Sequence, residues 1–264
     1  MQTIAIVSSQ GGTGKSTVAA NLAVALSLRM KKVLVIDFDP QNSQRIHLGL
    51  DAQQIAGLAR EGIHADSIFD SPFGYGGDNA ESANSGAGLH FIPFGRLNES
   101  ELDDFEQELS NDARWLSKSI DSLGELLFDI VIIDTPPGAS VYLDQALTVA
   151  DLGLAVMLAD AASYASYPKL EAIVNSVGPP KESYLGLYRL INQMPIKNRL
   201  GHEVRSAIYQ DTASLAVPLA IHFDPAVAQA LASETPVLEF QPGSMASLDF
   251  QYLADWALDL LQKA

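Results

Sequence analysis

Three groups of residues in this chain have the types and spacing for phosphate chemistry. The first is the run Ser8-Ser9-Gln10-Gly11-Gly12-Thr13-Gly14-Lys15-Ser16-Thr17. Glycines at 11, 12 and 14 let the backbone take positive φ and come close to an anion. Successive N–H groups can then turn toward phosphate oxygens, and a helix starting there adds the positive end of its dipole. Lys15 is expected to reach the β- and γ-phosphates and the Ser16 hydroxyl to ligate Mg²⁺. The whole stretch Gly11 to Thr17, Thr13 and Thr17 included, is the expected nucleotide cradle. The second group is Asp37-Phe38-Asp39-Pro40-Gln41-Asn42. Alternation aims Asp37 and Asp39 to one side, able to reach a metal's water shell and an attacking water. A strand-end aspartate capping the next helix is the plainer alternative. The third is Asp134, which ends the apolar run Phe128 to Ile133 and precedes Thr135-Pro136-Pro137-Gly138. An acid after an apolar strand says little alone. Together with the other two groups it becomes a strong signal.

These side chains need strands and helices to hold them. Thr3 to Val7 reads as a buried strand and Val18 to Arg29 as a helix, the context in which a glycine-rich Lys-Ser-Thr loop binds phosphate. The strict spacing G-x-x-x-x-G-K-[ST] is not met, because Ser9 stands at the first glycine. Further strands are expected at 32–37, 89–93, 128–134, 152–158, 185–192 and 215–221. Helices are expected at 98–123 (with Ser100 as cap and acids early), 164–177, 200–209, 225–233 and 248–261. Short helical pieces fill 43–69. Residues 70–88, rich in Gly, Asn and Ser, read as a long loop. Both aspartate-bearing strands end where ligands sit in an open α/β sheet. The expectation is one α/β domain over residues 1–264, with a mostly parallel sheet of about seven strands and helices on both faces.

Bulk properties narrow the partners. With 264 residues, 47% of them apolar, there is material for one buried core. No apolar run approaches the ~20 residues of a membrane span, and no secretory signal is expected at the N-terminus. The absence of cysteine excludes disulfides and thiol chemistry and fits a reducing cytoplasm. The five histidines are scattered singly, so no structural zinc site is expected. Sixteen basic against thirty-two acidic residues give a formal charge of −16, which repels nucleic acid and anionic lipid. The C-terminal helix is amphipathic, but its polar face is acidic, which suits core packing better than membrane anchoring.

The order of motifs resembles the MinD/ParA family of dimerising ATPases, whose loop reads K-G-G-x-G-K-[ST]-T. Gln10 stands here where that family has its first lysine. The resemblance spans residues 1–240 and implies a P-loop ATPase using ATP and Mg²⁺. Carried over position by position, it makes Asp39 the residue that orients the hydrolytic water, with Lys15 the other catalytic group. Asp37 would support Mg²⁺, Asp134 would hold it through water, and Thr135 to Gly138 would sense the γ-phosphate. Asn192 would read adenine with its amide, and His222, Phe223 and Asp224 would lie against the base; ordinary turn chemistry is the alternative for both segments. No guanine-reading N-K-x-D run is present. The segments 92–97 and 221–240 are similar to the cellulose-synthase-associated, BcsQ-type branch. That implies an ATP-bound homodimer that recruits or positions cellulose-secretion subunits at the inner membrane, acting through partner proteins, with no nucleic acid and no strong direct lipid binding. A partitioning or positioning role of the ParA/MinD type remains the alternative. In the family the first lysine crosses the dimer interface, and a transition-state cation of that kind can be worth ~10³ in rate. Gln10 supplies no charge, so slow turnover, or a non-hydrolysing ATP-locked scaffold, is expected.

Overall fold

The computed structural model describes residues 1–49, 57–62, 74–75, 88–123, 128–177, 181–211 and 215–263. Among them the strands are β1 (Gln2–Val7), β2 (Lys32–Asp37), β3 (Gly74–Tyr75), β4 (Gly88–Ile92), β5 (Ile130–Asp134), β6 (Leu152–Leu158), β7 (Leu187–Met194) and β8 (Leu215–His222). They form one sheet in the order β3-β4-β2-β5-β1-β6-β7-β8. All pairings are parallel except the two-residue edge pairing of β3 with β4. Most of the segment 70–88, expected as a loop, lies outside the described residues; Gly74–Tyr75 and Gly88 are strand instead.

Alternation along the strands divides the core into two layers. Ile4, Ile6, Val33 and Val35 face one side, where α1 (Lys15–Ser27) lies. Ala5, Val7, Leu34 and Ile36 face the other. The first side also carries α9 (Pro225–Ala232), α10 (Val237–Phe240) and α11 (Met245–Leu261). The second carries α4 (Glu99–Asn111), α5 (Trp115–Ser122), α6 (Val141–Val149), α7 (Ala161–Val177) and α8 (Arg199–Gln210). Strands covered on both faces must be apolar at every position, which is why they read as unbroken Val/Ile/Leu runs.

Two short helices, α2 (Gln44–His47) and α3 (Leu58–Glu61), follow β2. The helix expected over 98–123 is two helices, and its cap is Asn98 rather than Ser100. Asn98 and Glu101 form a reciprocal capping box. Helix α11 buries Phe250, Leu253, Ala254, Ala257 and Leu261, and α1 is buried nearly all round beneath it. Among the described residues no helix is long and apolar enough to cross a membrane.

Candidate functional site

The register brings the three motif groups to one place. Asp37 at the end of β2 pairs with Asp134 at the end of β5, and Asp134 also pairs with Ile6 near the end of β1. The glycine-rich loop leaves β1 at this same carboxyl edge, in the position where open α/β sheets bind ligands. Phe38 points the other way into the core, where it is fully buried. It stacks on Trp115 at 6.3 Å and meets Tyr142 edge-on at 5.2 Å. That anchor fixes the strand end, so Asp37 and Asp39 emerge on the site side.

The loop enters α1 through Gly14, which has φ +87° and no side-chain cap. The first-turn N–H groups of α1 therefore have no side chain to satisfy them, which suits an anion. A Cβ at Gly14 would stand 2.4 Å from Asn192 Nδ2. Asn192, at the end of β7, donates that nitrogen to Thr13 O at 2.8 Å. Lys15 is buried, and its Nζ donates to Ser8 Oγ at 3.0 Å. Ser8 Oγ in turn donates to Gln10 O at 2.6 Å. Burial lowers the Lys15 pKa, opposed by attraction to Asp134 and Asp39. The Thr135-to-Gly138 turn is pinned beside the loop: Thr135 Oγ1 donates to Ile6 O at 2.8 Å and Gly138 N to Ser8 O at 2.9 Å.

The carboxylates are crowded. Asp37 and Asp134 are fully buried on adjacent strands. Burial, then the nearby Asp134 charge, raises the Asp37 pKa well above the carboxylate range, although the Gln44 and Asp39 N–H groups donate to it. Burial raises Asp134 to about 6 against the opposing effects of Ser16, Lys15 and Gln44. Asp134 and Asp39 act on the Lys15 ammonium, and Asp37 lies beside both carboxylates. That surplus of negative charge, with the Ser16 hydroxyl beside Asp134, fits a divalent cation of the Mg²⁺ kind, which takes few carboxylates and keeps several waters. Among the described residues no three His, Cys, Asp or Glu side chains are grouped so as to hold a metal ion by themselves. Unpartnered buried polar atoms gather here as well: Thr13 Oγ1, Gln44 Oε1 and Asp134 Oδ1. Each is a group that a polar ligand would satisfy.

The remaining expected site residues are placed differently. Asp224 is the N-cap of α9, accepting from Ala226 N at 2.9 Å, and its other oxygen accepts from Ala246 N at 3.1 Å. His222 is held by Asp249, through its backbone N–H at 2.8 Å and Nδ1 at 2.9 Å. Phe223 is 59% exposed. The polar groups of His222 and Asp224 thus tie β8, α9 and α11 together, while Asn192 reaches the glycine loop. Gln10 Nε2 donates to Ala162 O of its own chain at 3.3 Å, and Ser9 Oγ lies 2.7 Å from Ser166 Oγ.

Gln44 joins the site without any motif to announce it. It is fully buried, its Nε2 donates at 3.0 Å to both Ser16 O and Asp134 Oδ2, and its backbone N–H donates to Asp37 Oδ2 at 3.0 Å. A glutamine in a four-residue helix carries no periodic or motif signal.

The fold has counterparts among known proteins. Escherichia coli K12 cellulose biosynthesis protein BcsQ is 27% identical over 259 residues, covering 94% of this chain and 91% of the relative. The Pyrococcus horikoshii septum site-determining protein MinD, solved with Mg-ADP, is similar with TM-score 0.70 and 23% identity, covering 97% of this chain and 95% of that one. An ATP complex of a McdA variant from Cyanothece is similar with TM-score 0.76 and 23% identity, covering 98% and 96%. At these identities the two structures speak for the fold. The family model described as cellulose biosynthesis protein BcsQ matches residues 1–258, and the chain therefore belongs to the BcsQ family, on a MinD/ParA-type P-loop fold.

Proposed function

We propose that this protein is an ATP-dependent switch of the MinD/ParA type that works in cellulose biosynthesis. It would dimerise over bound Mg·ATP and recruit or position components of a membrane-associated secretion machine. The observation that carries the reading is the convergence of Lys15, Ser16, Asp37, Asp39 and Asp134 at one sheet edge around an uncapped helix start. The Mg-ADP and ATP bound by the two solved relatives support the same ligands here.

In this reading the N–H groups from Gly11 to Ser16 bind phosphate oxygens, and Lys15 leaves Ser8 to neutralise the β- and γ-phosphates. Mg²⁺, when bound, would supply charge neutralisation on those phosphates, with Ser16 and Asp134 as its holders and Asp37 in support. Asp39 orients the attacking water; its Oδ1 already accepts from Gln41 N at 2.9 Å, which fixes the carboxylate. Asn192 and the exposed Phe223 ring are the proposed base contacts. Dimerisation would present a composite surface to partner proteins, with the assembly drawn to the inner membrane by them.

Turnover is proposed to be slow, because Gln10 brings no cation to the phosphates. A second reading, an ATP-locked scaffold, is favoured by the Gln10 amide being engaged with Ala162 of its own chain. Calorimetric titration of Mg·ATP into the wild type and Lys15→Ala tests the common core of both. Binding by the wild type and none by the variant is expected; equal binding contradicts the site. Asp39→Ala separates the two readings: it stops cycling in the switch and leaves assembly intact in the scaffold.

A further inference from the structure

Gln44 occupies a position that the proposed chemistry has not yet used. Both hydrogens of its side-chain amide are committed to acceptors, the Ser16 carbonyl and the Asp134 carboxylate. Because both partners only accept, the amide cannot be turned over, and Oε1 is the atom left without a partner. The same residue's backbone N–H holds Asp37 Oδ2. One side chain and its own peptide thus join the start of α1, the end of β2 and the end of β5. The contact with Asp134 is also selective: it takes Oδ2 and leaves Oδ1 without a partner. Two buried acceptors, Asp134 Oδ1 and Gln44 Oε1, therefore lack donors. Waters bound to a small divalent cation are donors, and such a cation keeps several of them.

The geometry points to Gln44 as a positioning residue for the divalent cation: it fixes the orientation of the Asp134 carboxylate and offers an acceptor to the cation's water shell. This rests on the Mg·nucleotide reading of the site. Residues that orient a ligand from behind typically change metal affinity by about 10–100-fold when removed. A purely structural role would lower stability and leave the affinity of the folded protein for cation where it was.

The test is Mn²⁺ binding to the full chain saturated with ADP, read by electron paramagnetic resonance, beside ADP binding in chelator. Gln44→Met keeps the side-chain length and removes both the donor and the acceptor. The expected result is a Mn²⁺ dissociation constant raised about 10–100-fold with ADP affinity in chelator unchanged. An unchanged Mn²⁺ constant in the folded variant overturns the inference, as does an equal loss of ADP binding without metal. A wild type that holds ADP but takes up no Mn²⁺ would instead sink the reading of the site, and this inference with it. Should Gln44→Met not fold, the wild type still decides. The side-chain amide resonances of Gln44, assigned through bonds, should shift when Mg²⁺ is added to the ADP complex. No shift overturns the proposal.

Discussion

Gly14 and Gln10 stand four residues apart in the same loop and constrain it in opposite ways. At Gly14 the φ of +87° already disfavours any side chain by about 1–2 kcal/mol. A methyl there would also press on Asn192 Nδ2 and disturb its bond to Thr13 O. Gly14→Ala should therefore abolish Mg·ATP binding in calorimetry while the sheet stays folded by circular dichroism; wild-type affinity would show that the loop does not bind phosphate. Gln10 constrains chemistry rather than shape. If its missing charge limits turnover, Gln10→Lys should raise the rate of phosphate release, by up to about 10³-fold. An unchanged rate in a protein that still binds ATP would place the limit elsewhere. The grouping of the candidate residues at one sheet edge was legible because glycine, lysine and aspartate carry chemical meaning at fixed spacing. Gln44 was not, since an amide gains its role only from what the folded chain sets around it. His222 and Asp224 show the complementary case: a polar pair at a strand end reads the same whether it faces a ligand or caps the next helices, and here the two are hydrogen-bonded to Asp249, Ala226 and Ala246.

The elements that aim the site depend on packing behind it. Phe38 sits between the two aspartates with Trp115 and Tyr142 against its ring. Phe38→Ala should cost about 3–5 kcal/mol in denaturant unfolding, and a cost under about 1 kcal/mol would show that the aromatic cluster does not hold the strand end. Helix α2 carries a second probe. His47 is buried, and desolvation lowers its pKa from 6.5 to about 4. A lowered histidine resists protonation in the folded chain, so its contribution is full above pH 6.5 and is lost as pH falls toward about 4. The loss would amount to about 3 kcal/mol. The buried carboxylates Asp37 and Asp134 have raised pKa values and act with the opposite sign at low pH. The readout is therefore the difference between wild type and His47→Gln, which should narrow from about pH 7 to about pH 4; a constant difference contradicts the assignment. Strands were legible from their apolar runs. The break between α4 and α5 was not, because no Gly or Pro marks it. Gln145 of α6 makes the break by donating to Leu109 O at 2.9 Å and Asp112 O at 2.6 Å, satisfying carbonyls where the first helix ends. Asp112 adds a local cause, its Oδ1 accepting from Arg114 N at 3.1 Å.

For the whole molecule, the parallel sheet places every motif at one edge, and the formal charge of −16 disfavours nucleic acid and anionic lipid as direct partners. The proposed partners are then a second copy of the chain and proteins of the cellulose machinery. Belonging to the BcsQ family fits that choice. The most direct test is light scattering coupled to gel filtration, without nucleotide and with Mg·ATP, followed by analysis of the nucleotide recovered in each peak. The expected result is a monomer alone, a dimer with Mg·ATP, and ATP still largely intact in the dimer peak after hours. A chain that binds Mg·ATP and remains monomeric would contradict it.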